Sequence, residues 1–433
     1  MNHRITRRTF TQAGAAATLG LAAAVPARAR GANDRIRLGF IGVANRGGQL
    51  ISAFSKHDDM EIVALCDVCE STLNAANSRL GGRAATFGDF RELIDRDDVD
   101  AVVIATPDHW HAIQTITACD AGKDVYVEKP LSITIHEGRR MVEAARRHKR
   151  VVQVGLHRRS GNTYAQIAKL VRAGDIGKAT VCRAYHRSNM TPSGIGREKP
   201  SDPPADLDWD MWLGPRPLRP YQKNIAPYKF RWWTLYSSQT ANNGVHFLDL
   251  IRWMTGDLAP ASICAMGGRY AVDDDRTIPD TMQVVYEFPA GRLVLFGMYE
   301  TCGNQTMARG GYVELRGTKG SLFANDNGFE IVPEQGGQFQ DRSPRMEPRK
   351  VDSTDGNLTV QHARNFLDCM RSRKKPNGDV EEGHRSTTMS LLAKISQATR
   401  LRLEWDAERE QITNSPEANA MLHYEYREPW KLG

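Results

Sequence analysis

Between residues 36 and 155 short apolar runs alternate with longer segments of helical period. The runs lie at 36–41 (IRLGFI), 61–66 (EIVALC), 84–87, 101–105 (AVVIA), 124–127 (DVYV) and 151–154 (VVQV). Apolar residues recur every three to four positions over 110–121, which Gly122 closes, and over 134–148, which a Thr134-x-x-Glu137 capping box opens. Continuous apolar strands separated by amphipathic helices predict a doubly wound parallel sheet, a Rossmann domain covering 30–155.

The pattern changes beyond that point. After a helix at 162–173, strand-like runs follow at 179–188, 262–266, 282–288, 292–299, 312–316 and 321–324, some joined by turns as short as Pro289-Ala290-Gly291. Such spacing predicts an antiparallel sheet. Helical period returns at 245–254, 362–371 and 382–402, so residues 156–433 read as an α+β domain. Residues 335–356 are polar and rich in Pro and Gly, the composition of a surface loop.

The N-terminus reads as an export label. Thr6-Arg7-Arg8-Thr9-Phe10 is a twin-arginine pattern, 13–25 is alanine-rich and weakly apolar, and Ala27-Arg28-Ala29 fits a cleavage site. The run is too short to anchor stably in a bilayer, so residues 1–29 are expected to be removed and the protein to be periplasmic or otherwise exported. Losing the four arginines of this label lowers the formal charge from +7 to +3, which removes any argument for nucleic-acid binding. Of seven cysteines only Cys66 and Cys69 form a C-x-x-C, with no second pair at zinc spacing, so no metal site is expected.

Chemistry concentrates where predicted strands end. The first strand runs into Gly42-Val43-Ala44-Asn45-Arg46-Gly47, a G-x-G-x-x-G pattern with Ala44 at the middle position and a helix expected from about Gln49. Bare backbone N–H groups at a helix N-terminus suit a diphosphate. Asp67, closing the second strand, is placed to hydrogen-bond an adenosine ribose and to repel a 2′-phosphate, which favours NAD over NADP. Arg46 can pair with the diphosphate or swing towards a 2′-phosphate. Two further strand ends are polar: Ala105 to Ala112 (ATPDHWHA) and Glu128-Lys129-Pro130. Thr106, Pro107, His109 and His111 of the first, with Asn45, Glu128 and Lys129, complete the candidate cofactor contacts. Lys129 is placed to reach a hydroxyl over the nicotinamide.

IRLGFIGVANRGG, Asp67, ATPDHWHA and VEKPLS, in this order, resemble the Gfo/Idh/MocA family of glucose-fructose oxidoreductase and inositol dehydrogenase relatives. DWDMWLGP at 208–215 and YREPW at 426–430 extend the resemblance, towards exported members, over essentially the whole mature chain. The resemblance implies a C-terminal domain whose large, mostly antiparallel open sheet covers the nicotinamide, and homo-oligomers built through that sheet. It also implies a catalytic pair, Lys129 with His246, histidine being a natural proton shuttle near neutral pH. The family usually has an aspartate four residues before this histidine. Here it is Asn242, which can orient a hydroxyl but not take its proton.

His157, Arg158, Tyr185, His186 and Asn189 are candidate substrate contacts. The proline- and tryptophan-rich segment between 188 and 245 reads as a lid, a subunit contact or a sugar-stacking wall, with Trp232 and Trp233 nearest the catalytic stretch. The expected activity is hydride transfer between a secondary alcohol of a sugar, polyol or glycoside and a tightly bound NAD. The alternative is a glycoside hydrolase or lyase working by transient oxidation, elimination and re-reduction. A non-catalytic sugar-binding role is disfavoured by Lys129 and His246 standing together at the motif positions.

Overall fold

A computed structural model describes residues 35–433 apart from Ala308, so the twin-arginine segment and its cleavage site lie outside the described residues. The first sheet contains β1 (Ile36–Ile41), β2 (Met60–Cys66), β3 (Ala85–Phe87), β4 (Ala101–Ile104), β5 (Asp124–Val127) and β6 (Val152–Val154), all parallel in the order β3-β2-β1-β4-β5-β6. Helices α1 (Asn45–Phe54), α2 (Glu70–Arg79), α3 (Phe90–Ile94), α4 (His111–Asp120) and α5 (Ile135–Arg147) connect the strands. All four residues of β4 are fully buried, as a central strand covered on both faces requires, and each buried Val or Ile there contributes about 1.5–3 kcal/mol. The strand order reverses between β1 and β4. That switch point opens a crevice at the carboxyl ends of the strands.

The second sheet is mixed and mostly antiparallel. Its ten strands are β7 (Ala179–Arg187), β8 (Ser262–Gly268), β9 (Thr281–Phe288), β10 (Arg292–Tyr299), β11 (Val313–Gly317), β12 (Gly320–Asn325), β13 (Gly328–Pro333), β14 (Arg349–Asp352), β15 (Leu403–Asp406) and β16 (Gln411–Ile412), in the order β14-β13-β12-β11-β7-β10-β9-β8-β15-β16. Only β7 and β10 pair in parallel. One face of this sheet packs on α6 (Asn162–Arg172), α8 (Val245–Thr255) and α10 (Val380–Thr399). Short α7 (Trp209–Leu213) lies in the tryptophan-rich segment, and α9 (Leu358–Ser372) packs against α1 through Phe366 and Phe54.

Three expectations need correction. The first helix starts at Asn45, ahead of Gln49, because Gly48 N–H already donates to Ala44 O and Gly47 lies inside the first turn. The loop expected over 335–356 contains β14, an edge strand whose polar residues pair with β13 on a side that needs no apolar pattern. The helix expected over 110–121 is a 3-10 turn at Asp108–Trp110 followed by α4.

Candidate active site

Glycine geometry shapes the crevice. Gly42 has φ +80°, and a Cβ there would lie 2.8 Å from Thr106 N; one on Gly47 would lie 2.0 Å from Gly42 O. Only glycine lets β1, α1 and the end of β4 approach this closely. The first N–H groups of α1 have no partner within the helix and face the cleft that Gly42, Ala44, Asn45 and Arg46 line. A dinucleotide diphosphate fits this cradle.

Asp67 stands at the end of β2 on the same cleft. Its Oδ2 accepts from Val43 N at 2.9 Å and its Oδ1 from Cys69 N at 3.0 Å. Burial pushes this carboxyl up, while those two N–H groups stabilise the anion. Each oxygen keeps a lone pair for a ribose hydroxyl. The cleft measures about 890 Å³ including solvent at its mouth, and continues past Ala105, Thr106 and Pro107 at the end of β4.

Beyond that end, on neighbouring β5, stand Glu128 and Lys129. Glu128 is buried, and Gly155 leaves it room: a Cβ on that glycine would be 2.7 Å from Glu128 Oε1. Burial raises the Glu128 carboxyl, but Arg46, donating to Oε1 at 2.7 Å, and Lys129 outweigh it and hold it ionised. Arg46 thus lines the cleft with its guanidinium paired to Glu128. Lys129 Nζ donates to Asn242 O at 3.2 Å and to Asn242 Oδ1 at 3.4 Å. Burial brings its pKa down to about 8, against the pull of Glu128 and with help from Arg231.

Asn242 sits in a π-helical turn, Thr240–Gly244, that leads into α8 and carries His246 one turn later. A π-turn at this place aims an extra backbone carbonyl at Lys129. The His246 ring packs edge-on against His157, centroids 5.1 Å apart. Burial, then the charge of Lys129, keeps His246 neutral, and His157 is held down to about 3 by burial and by Arg158. Among the described residues, Nδ1 of His157, Nδ1 of His246 and Nε2 of His186 are buried without hydrogen-bond partners. His186 Nε2 faces the Glu300 carboxylate at 3.7 Å, whereas the free nitrogens of His246 and His157, beside Lys129, mark a place for ligand hydroxyls.

Other sequence candidates are spent on structure. His109 Nε2 lies 2.9 Å from Trp212 O, and both ring nitrogens of His111 meet backbone carbonyls, of Pro130 and Thr106; neither residue lines the cleft. They brace the ATPDHWHA turn, a role the apolar surroundings of each ring dictate. Thr106 Oγ1 donates to Gln114. Trp233 is a core residue with Nε1 on Asn224 O, and Trp232 donates to both oxygens of Glu300, itself paired with fully buried Arg276. Arg158 is bound to Asp326 and stacks over Tyr312, Tyr185 lies beside Tyr299, and Asn189 is exposed and accepts from Thr191.

Of the readings open for the proline- and tryptophan-rich segment, a lid describes its place on the cleft, but the residues that line it were not singled out in the sequence. Leu207, Met211, Trp212, Tyr228, Phe230 and Arg231 line it from above, and the only sequence signal was the density of aromatics and prolines there. The roof is held from several sides. Trp110 Nε1 donates to Met211 O and Trp212 O, Ser237 Oγ donates to buried Asp108, and Lys394 Nζ donates to Thr234 O. Arg427 Nε, far along the chain, donates to Gly214 O and Arg216 O.

A parallel sheet with a glycine turn at its switch point, joined to a broad mixed sheet that brings a histidine to the lysine after β5, defines a two-domain dinucleotide-binding protein. More specifically, the chain belongs to the Gfo/Idh/MocA oxidoreductase family: residues 36–156 match its NAD-binding Rossmann fold and residues 160–432 its C-terminal alpha/beta domain. The chain is 30% identical over 204 residues to a glycosyl hydrolase family 109 protein of Shewanella baltica, covering 41% of this chain and 44% of that protein. It is 29% identical over 158 residues to an inositol 2-dehydrogenase of Salmonella agona, covering 36% and 47%. The chain thus spans about half the length of the curated relatives it matches. A structure of levoglucosan dehydrogenase with NADH and levoglucosan shares the fold, with TM-score 0.66 and 18% identity over 86% of this chain and 99% of that one.

Proposed function

We propose that the protein is an NAD-dependent oxidoreductase acting on a secondary alcohol of a sugar, polyol or glycoside, with the cofactor retained through turnover. The observation that carries this reading is Lys129, its Nζ on Asn242 one turn before His246, at the end of the nucleotide cleft. Gly42, Ala44, Asn45, Arg46, Gly47 and Asp67 hold the nucleotide, and bound NAD supplies the hydride acceptor. Lys129, with a pKa of about 8, has a sizeable neutral fraction near neutral pH and takes the hydroxyl proton; in the reverse direction its ammonium returns it. Neutral His246 and His157 orient the hydroxyls. The charge of Lys129 stabilises the oxygen as it becomes anionic.

The second reading, glycoside cleavage through transient oxidation, is favoured by the resemblance to the family 109 proteins. One experiment separates the two. Protein loaded with NAD is given a panel of free sugars, polyols and aryl glycosides, and both 340 nm absorbance and released aglycone are followed. Sustained reduction of bound or added NAD by an alcohol supports net oxidation, aglycone release without net NADH supports the second reading, and neither signal across the panel counts against both.

The twin-arginine pattern supports export with NAD already loaded, since free cofactor is expected to be scarce outside the cytoplasm. Exposed Met266 and Tyr270, at the end of β8 and just beyond it, support assembly through the C-terminal sheet.

A further inference from the structure

The roof of the cleft comes from the C-terminal half of the chain, yet it is stitched directly to the end of β2. Glu70 N donates to Asp206 O at 2.8 Å and Asp208 N to Val68 O at 2.9 Å, so Cys69 and Leu207 face one another in an antiparallel bridge. Both lie within reach of Asp67 and line the same cleft. Further along, Arg231 also lines it. Of the two guanidinium groups there, Arg46 is neutralised by Glu128. Arg231 donates to Tyr228 O and stacks on the rings of Tyr228 and Phe230, with no carboxylate at ion-pair distance among the described residues. A guanidinium with no ion-pair partner, held by two rings on the cleft that the glycine turn also lines, is suited to a diphosphate.

We propose that residues 206–231 form a strap closing the nucleotide site from the side opposite the glycine turn. In it Arg231 is the counter-charge of the diphosphate, and a bound nicotinamide dinucleotide leaves only when the Cys69–Leu207 bridge opens. This rests on the nucleotide-dependent reading above. It adds a structural cause for cofactor retention: the strap is tied at one end to β2 and at the other, through Trp232 and Glu300, to the second sheet.

The bridge supplies its own test. In this arrangement the two residues form a non-hydrogen-bonded pair, whose Cα atoms lie about 4.5 Å apart, a separation that suits a disulfide. In full-length Leu207→Cys protein loaded with NADH, oxidation should join position 207 to Cys69, which peptide mapping verifies. Release of NADH fluorescence after dilution into excess NAD should then be at least about tenfold slower than in the reduced form, and reduction should restore it. Independently, Arg231→Ala should release NADH about ten- to a hundredfold faster than the native protein, with Arg231→Lys between them. Equal release from oxidised and reduced protein, or failure of the two thiols to pair, overturns the strap. A native protein that releases no nucleotide on denaturation and binds no NADH in a direct titration overturns the nucleotide reading itself, and so the two failures are distinct.

Discussion

Lys129 and Asn242 set the chemistry at the scale of single residues. A buried lysine with a pKa of about 8 should make alcohol oxidation rise with pH through an inflection near 8, since the neutral amine is the form that takes the proton. Because His246 is held neutral, no second inflection is expected near its ordinary pKa; a pH–kcat profile of the NAD-loaded enzyme checks both statements. Placing a carboxylate on Lys129 through Asn242→Asp favours the ammonium and should move the inflection upwards. Lys129→Ala and His246→Ala should each lower turnover by about 10²- to 10⁴-fold while NADH still binds in a fluorescence titration. Near-normal turnover in either variant would remove that residue from the mechanism.

At the scale of elements, the glycine turn and the strap were legible to very different degrees. The turn could be read from sequence because its constraint is local: Gly42 and Gly47 sit five residues apart, and backbone crowding forbids a Cβ at either. Gly47→Ala should therefore abolish the NADH-induced rise in melting temperature and cost about 1–3 kcal/mol of stability in denaturant titration. The strand ends were legible for the same reason, as apolar runs halting at polar residues. The roles of His109 and His111 were not: the carbonyl on His109 belongs to Trp212, 103 residues away, and those on His111 belong to Pro130 and Thr106, main-chain partners that residue types do not reveal. β14 escaped because an exposed edge strand carries no apolar alternation. The roof aromatics announced themselves by composition, but which surface they cover is set by long-range ties such as Cys69–Leu207 and Trp110–Met211. Behind them, Arg276 is fully buried between Asp274 and Glu300, and Glu300 holds Trp232. Arg276→Met leaves two carboxylates unpaired and should destabilise the protein by about 3–5 kcal/mol by equilibrium unfolding.

For the whole molecule, the cleft is assembled from distant parts of the chain. Its floor comes from the first sheet, its roof from the segment before α8, and the brace on that roof from the stretch around Arg427. The span from Arg427 to Gly214 is 213 residues, so during synthesis the roof exists long before the groups that pin it. The last ties to form are those of residues near 427, when Arg427 reaches Gly214 and Arg216 and Tyr426 reaches Glu137 in the first turn of α5. If the strap retains the nucleotide as proposed, loading is expected to be faster before these last ties form than after. On that proposal, the order in which the chain is made favours a protein that acquires its cofactor once, at its birth.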